Sequence, residues 1–72
     1  MQILEFSLPA ETQVILSVYS VTGRLLQHLV QGVEGAGIHT VSWDVSGQAS
    51  GVYFYRFEAG TFAKTVKTLI VR

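Results

Sequence analysis

Ser42, His39 and Asp44 bring the three side-chain types of a hydrolytic triad within six positions of one another. Such a triad works only if the imidazole reaches both the hydroxyl it deprotonates and the carboxylate that orients it. The segment that carries them, Ile38 to Asp44, alternates apolar and polar residues like a β-strand. That alternation puts His39, Val41 and Trp43 on one face and Ser42 and Asp44 on the other. The base then stands on the wrong side of the sheet, and we expect a structural histidine rather than a catalytic centre.

A metal would need Glu34, Asp44, Glu58, His28 and His39 to converge, and none of them is spaced like a known metal-binding loop. Asp44-Val45-Ser46-Gly47 begins like a calcium loop but lacks the further acidic ligands that would complete it. Asp44 reads instead as a turn cap accepting backbone N–H groups. The chain has no cysteine, which removes thiolate catalysis, disulfides and cysteine-based zinc sites together. Neither a metal nor a cofactor is expected.

The third chemical possibility is aromatic. The stretch SGVYFYRFEAG, Ser50 to Gly60, concentrates Tyr53, Phe54, Tyr55 and Phe57, and with Trp43 and Phe62 these could form a sugar-stacking surface. Size argues otherwise. A chain of 72 residues buries only about 60% of the surface its unfolded form exposes, so its large side chains are needed inside. Each buried aromatic contributes on the order of 2 to 3 kcal/mol from area alone. The sequence therefore predicts Trp43, Tyr53, Tyr55 and Phe57 pointing inward, with Phe54 beside Arg56 and Glu58 on the more exposed face.

These residues must be positioned by strands. Hydrophobic residues make up 49% and charged residues 14% of the chain, far from a disordered composition. Helix signals are poor, while valine, threonine, isoleucine and aromatics dominate. Six strands are predicted. Gln2 to Leu8 is closed by Pro9, and Gln13 to Ser20 joins Leu25 to Gln31 through a turn at Val21-Thr22-Gly23-Arg24. Gly32 to Gly37 is a glycine-rich loop suited to crossing between sheets. Ile38 to Asp44, Gly51 to Ala59 and Phe62 to Val71 follow, the last two joined by a tight hairpin at Ala59-Gly60-Thr61. Along them Phe6, Leu16, Val18, Val41, Trp43, Tyr53, Tyr55 and Phe57 form the expected core. Short strands at this spacing fit one small antiparallel sandwich.

Formal net charge is zero, and Arg24, Arg56, Lys64, Lys67 and Arg72 form no basic footprint for nucleic acid. No run approaches the roughly 20 apolar residues of a membrane span, and MQILEFSLPAE lacks the pattern of a signal peptide. An export signal, if present in the parent chain, is expected elsewhere.

Phe6-Ser7-Leu8-Pro9, Val18-Tyr19-Ser20-Val21-Thr22-Gly23-Arg24, Ala36 to Asp44, and Ser50 to Phe57, followed by a lysine-bearing apolar strand, occur in one order. Together they resemble the C-terminal sorting domain of proteins exported by the type IX secretion system. The resemblance covers nearly the whole chain. It departs at Ser20, where the family carries Asp, and at Val45, where it carries Gly. The resemblance implies an all-β, immunoglobulin-like antiparallel sandwich of about six to seven strands, with residues 1–72 forming a single terminal domain of a larger secreted protein. It implies three partners: the outer-membrane type IX translocon, a sortase-like peptidase, and an N-terminal cargo domain in the parent chain. The cargo is then secreted, or held on the surface of a Gram-negative bacterium, after passing the periplasm. The domain is a substrate of that system and not an enzyme. Its recognition residues are expected on the final strand: Lys64, Lys67, Leu69, Ile70, Val71 and Arg72. A carbohydrate-binding or accessory module beside a secreted hydrolase is the alternative, and an internal immunoglobulin-like spacer a third.

Overall fold

The computed structural model describes residues 1–71. Among them six strands form: β1 (Gln2–Leu8), β2 (Thr12–Ser20), β3 (Leu25–Glu34), β4 (Gly37–Trp43), β5 (Gly51–Ala59) and β6 (Phe62–Ile70). They pair into a two-stranded sheet, β1-β4, and a four-stranded sheet in the order β3-β2-β5-β6, every pair antiparallel. The fold is an all-β small sandwich.

Alternation decides which side chains enter it. On β2, Val14, Leu16 and Val18 are buried, and on β5 Tyr53 and Tyr55 are buried while Arg56 is exposed. Trp43, at the end of β4, is 1% exposed and lies edge-on to both tyrosine rings, with centroids 5.7 and 5.8 Å away. Edge-to-face contacts of this kind add about 0.5–1.5 kcal/mol per pair beyond the area buried. The indole Nε1–H has no acceptor among the described residues, so packing alone holds Trp43. Ile70 closes the same cluster from β6. Phe6, Val41 and Phe57 are half-buried and pack against its flank.

The turns follow from particular side chains. The Ser20 hydroxyl, where the resemblance leads one to expect an Asp, accepts the Arg24 N–H at 3.2 Å and meets the Thr22 hydroxyl at 2.9 Å. Gly23, at φ 87°, supplies the left-handed residue of that turn. Asp44 Oδ1 accepts the Ser46 N–H at 2.9 Å, so the cap expected there is formed. Val45 packs against the core from the same loop. Tyr53, near the start of β5, donates its hydroxyl to the Ala49 carbonyl at 2.6 Å. That bond resembles the tyrosine corner of β-sandwiches, which pins a strand to the connection preceding it.

Five boundaries differ from the sequence expectation, two of them on β4, which runs Gly37–Trp43 instead of Ile38 to Asp44 because Asp44 is taken into the following turn as its cap. β2 begins one residue earlier, at Thr12, and β6 ends at Ile70 rather than Val71. β3 runs on through Gly32 to Glu34, where a loop was expected. Glycine permits this: Gly32 adopts φ 150° opposite Val14 and keeps pairing with β2. The crossing between sheets contracts to Gly35-Ala36.

Candidate functional site

The two edges of the four-stranded sheet are β3 and β6, and β6 is the C-terminal one. It is held against β5 in unbroken register from Ala59↔Phe62 to Gly51↔Ile70. Gly60 and Thr61 turn the hairpin, with Gly60 at φ 59° in the first loop position, as a type II′ turn requires. This register fixes which face each residue of β6 presents. Phe62, Lys64, Val66, Thr68 and Ile70 stand opposite the inward residues of β5. Ala63, Thr65, Lys67 and Leu69 stand opposite the outward ones.

The expected recognition residues therefore separate. Lys67 and Leu69 are exposed on the outer face, Lys67 directly opposite Phe54. Lys64 is exposed on the inward face, and Val71 is exposed just past the strand. Ile70 is 2% exposed and belongs to the core. Arg72 lies outside the described residues.

On the outer face the register continues inward from β6. Lys67 meets Phe54 and Phe54 meets Tyr19, while Thr65 meets Arg56 and Arg56 meets Ser17. Tyr19, Gly23, Phe54, Arg56 and Thr65 line a shallow depression of about 430 Å³ there. Arg56 is engaged by Glu58 at 3.2 Å on its own strand.

The inward face of β6 lines a second feature. Between β1 and β6 lies a cleft of about 470 Å³ formed by Leu4, Glu5, Phe6, Leu16, Tyr55, Phe57, Phe62, Lys64 and Val66. Its walls are largely apolar, and Phe62 and Val66 remain 56% and 46% exposed within it. At the other end of β1 the sheets are tied shut. Gln2 Oε1 accepts the Tyr55 hydroxyl and, at 3.3 Å, the Thr68 hydroxyl, while its amide nitrogen donates to the Leu69 carbonyl at 3.5 Å. Burial raises the Tyr55 phenol above its ordinary pKa of 10.0.

No hydrolytic site assembles. His39 Nε2 donates to the Gly35 carbonyl at 2.7 Å, its Nδ1 lies 3.5 Å from Glu34, and its ring stacks on Phe6 at 5.1 Å. The histidine secures the sheet crossing and does not reach Ser42. A different serine and histidine do meet: Ser17 Oγ and His28 Nδ1 are 2.8 Å apart. This contact was not visible in the sequence, because a bulge between Leu16 and Ser17 resets the register that brings His28 alongside. Ser17 is buried with the cation Arg56 as its other cross-strand neighbour, and among the described residues no carboxylate pairs with His28 to orient its imidazole as a base. Among the described residues no three metal-ligating side chains cluster.

Comparison with known proteins agrees with this geometry. Residues 2–72 match the secretion system C-terminal sorting domain family. No curated protein and no solved structure shows a significant match. Members of that family direct secretion of the cargo they terminate through the type IX system, interact with its machinery, and are not catalysts. The chain belongs to the secretion system C-terminal sorting domain family.

Proposed function

We propose that residues 1–72 act as the terminal domain of a larger secreted protein and are read by the outer-membrane translocon through β6 and the residues following it. The observation that carries this reading is the position of β6. It is an edge strand whose outer side pairs with no other strand and meets only the Gln2 amide at the Leu69 carbonyl, which makes it a ready template for strand addition. Lys67 and Leu69 supply one charge and one apolar anchor on its outer face, Lys64 a charge on the inner face, and exposed Val71 follows the strand, with Arg72 next in the sequence. Ile70 acts from within, holding the strand end in the core so that its neighbours are presented in a fixed register. A sortase-like peptidase then acts on the delivered protein, and cargo reaches the medium or the cell surface by way of the periplasm.

The test is a periplasmic reporter fused ahead of residues 1–72 in a host with a working type IX system. The reporter is expected outside the cell, and a Lys67→Glu, Leu69→Ser double variant is expected to leave it in the periplasm with the domain still folded by circular dichroism. A wild-type fusion that stays periplasmic sinks the reading altogether. Secretion untouched by the double variant removes the outer face of β6 from it.

A further inference from the structure

The cleft between β1 and β6 is bounded by two strands that each have an unpaired edge. β1 is hydrogen-bonded to β4 on one side only, and β6 to β5 on one side only. A two-stranded layer lies over a four-stranded one, and strands sit about 4.8 Å apart within a sheet. The smaller layer therefore leaves part of the larger one uncovered. The uncovered part is the hairpin end of β6, where Phe62 and Val66 keep roughly half their surface in solvent while facing inward.

Charge adds a second, independent observation. Lys64 on β6 faces inward along the cleft, Glu5 lines its rim from the exposed row of β1 that alternates with Leu4 and Phe6, and no ion pair links them. Among the described residues neither has an ion-pair partner. An apolar cleft with an unpaired cation facing inward and an unpaired carboxylate on the outward side of its open edge is complementary to a strand that carries the opposite charges on its two faces. About 470 Å³ holds a few side chains and not a folded domain.

We propose that this cleft seats one extended segment of a partner protein, added to β1 as the third strand of the smaller sheet. Its inward side chains are apolar and cover Phe62, Val66 and Phe57, with one Asp or Glu among them meeting Lys64. Its outward side chains are polar, with one Lys or Arg beside Glu5 as a cross-strand pair. The seat is separate from the outer face of β6, and it stands whether or not that face is what the translocon reads.

The test uses the ¹⁵N-labelled 72-residue chain and a synthetic nine-residue peptide of alternating valine and threonine. Its central inward valine is replaced by glutamate and the adjacent threonine by lysine. A twin peptide carries the two charges exchanged. The first peptide is expected to slow amide exchange at alternate residues of β1 and to bind at least tenfold more tightly than its twin. Lys64→Glu together with Glu5→Lys is expected to reverse that preference. Both positions are solvent-exposed, so the variant is expected to unfold at the same denaturant midpoint as the parent, and Glu5→Lys alone serves as a milder check.

Equal affinity for the two peptides, protection at β3 or β4 instead of β1, or no binding at millimolar peptide overturns the proposal. So does concentration-dependent self-association of the chain that Lys64→Glu abolishes, because the occupant would then be a second copy. Failure of the secretion assay with peptide binding intact would count against the translocon reading and leave this seat in place.

Discussion

The two ends of the sandwich are built from the same residue types and differ in completeness. At the Gln2 end, Trp43, Tyr53, Tyr55 and Ile70 are buried, and the Tyr53 and Tyr55 hydroxyls each have an acceptor. At the hairpin end, Phe6 and Phe57 still touch, with centroids 5.0 Å apart, and Phe57 meets Phe62 at 6.2 Å, yet Phe62 and Val66 are left half in water. The contrast separates two uses of aromatic surface in one small domain. One end supplies the burial that stabilises the fold, and the other keeps apolar surface available for a contact the chain does not make with itself.

The strongest way to break this comparison is to empty the closed end. Trp43→Ala should cost about 3–5 kcal/mol, a large part of the total for a domain of this size, where stability runs near 0.05–0.15 kcal/mol per residue. Chemical denaturation should find the variant largely unfolded without denaturant. A cooperative transition close to the parent's would mean that the core is centred elsewhere. Ile70→Ala should cost about 2–4 kcal/mol by the same cavity argument. It would also lower reporter export by releasing the end of β6, an effect reversed by Ile70→Val if position rather than chemistry matters.

Much of the closed end was legible beforehand. Alternation alone separated Tyr53, Tyr55 and Phe57 from Phe54 and Arg56, and it placed Trp43 inside, because side-chain direction along a strand has period two whatever the neighbours are. The order of strands was not legible in the same way. Nothing local says that β5 lies between β2 and β6 or that only β1 and β4 form the second layer, and both the cleft and the half-burial of Phe6, Val41 and Phe57 follow from that order. Ile70 shows the limit clearly. Both faces of its strand carry apolar residues, so pattern could not choose between core and surface. The register did, by setting Ile70 opposite Gly51 in the row of β6 that faces inward with Thr68 and Val66. The continuation of β3 through Gly32 and the bulge that joins Ser17 to His28 likewise depend on partners distant in sequence.

Smaller effects sharpen the picture at single hydrogen bonds. Tyr53→Phe removes the bond to the Ala49 carbonyl and should cost about 0.5–1.5 kcal/mol in denaturant unfolding. No change would mean that the corner is held by ring packing with Trp43 alone. The Tyr55 phenol gives a pH signature. Its folded pKa is raised, so above about pH 10 the unfolded chain loses this proton first, and unfolding becomes more favourable as pH rises. The stabilisation is intact below pH 10 and disappears as pH climbs through the folded value. Tyr55→Phe should flatten that alkaline slope, and an unchanged slope would assign it to other groups.

The smallest expected change tests the open end most directly. Phe62 is large and aromatic, and in a closed sandwich its removal would cost several kcal/mol, as for Trp43. Here it is 56% exposed and its ring meets Phe57 edge-on at 6.2 Å. Phe62→Ser should therefore shift stability by no more than about 0.5 kcal/mol, as surface substitutions do, while weakening the glutamate-bearing peptide at β1. A loss beyond about 2 kcal/mol, in the range of buried aromatic truncations, would mean that Phe62 folds into the cleft in solution. The uncovered surface at the hairpin end would then be filled by the chain itself, and the difference between the two ends would disappear.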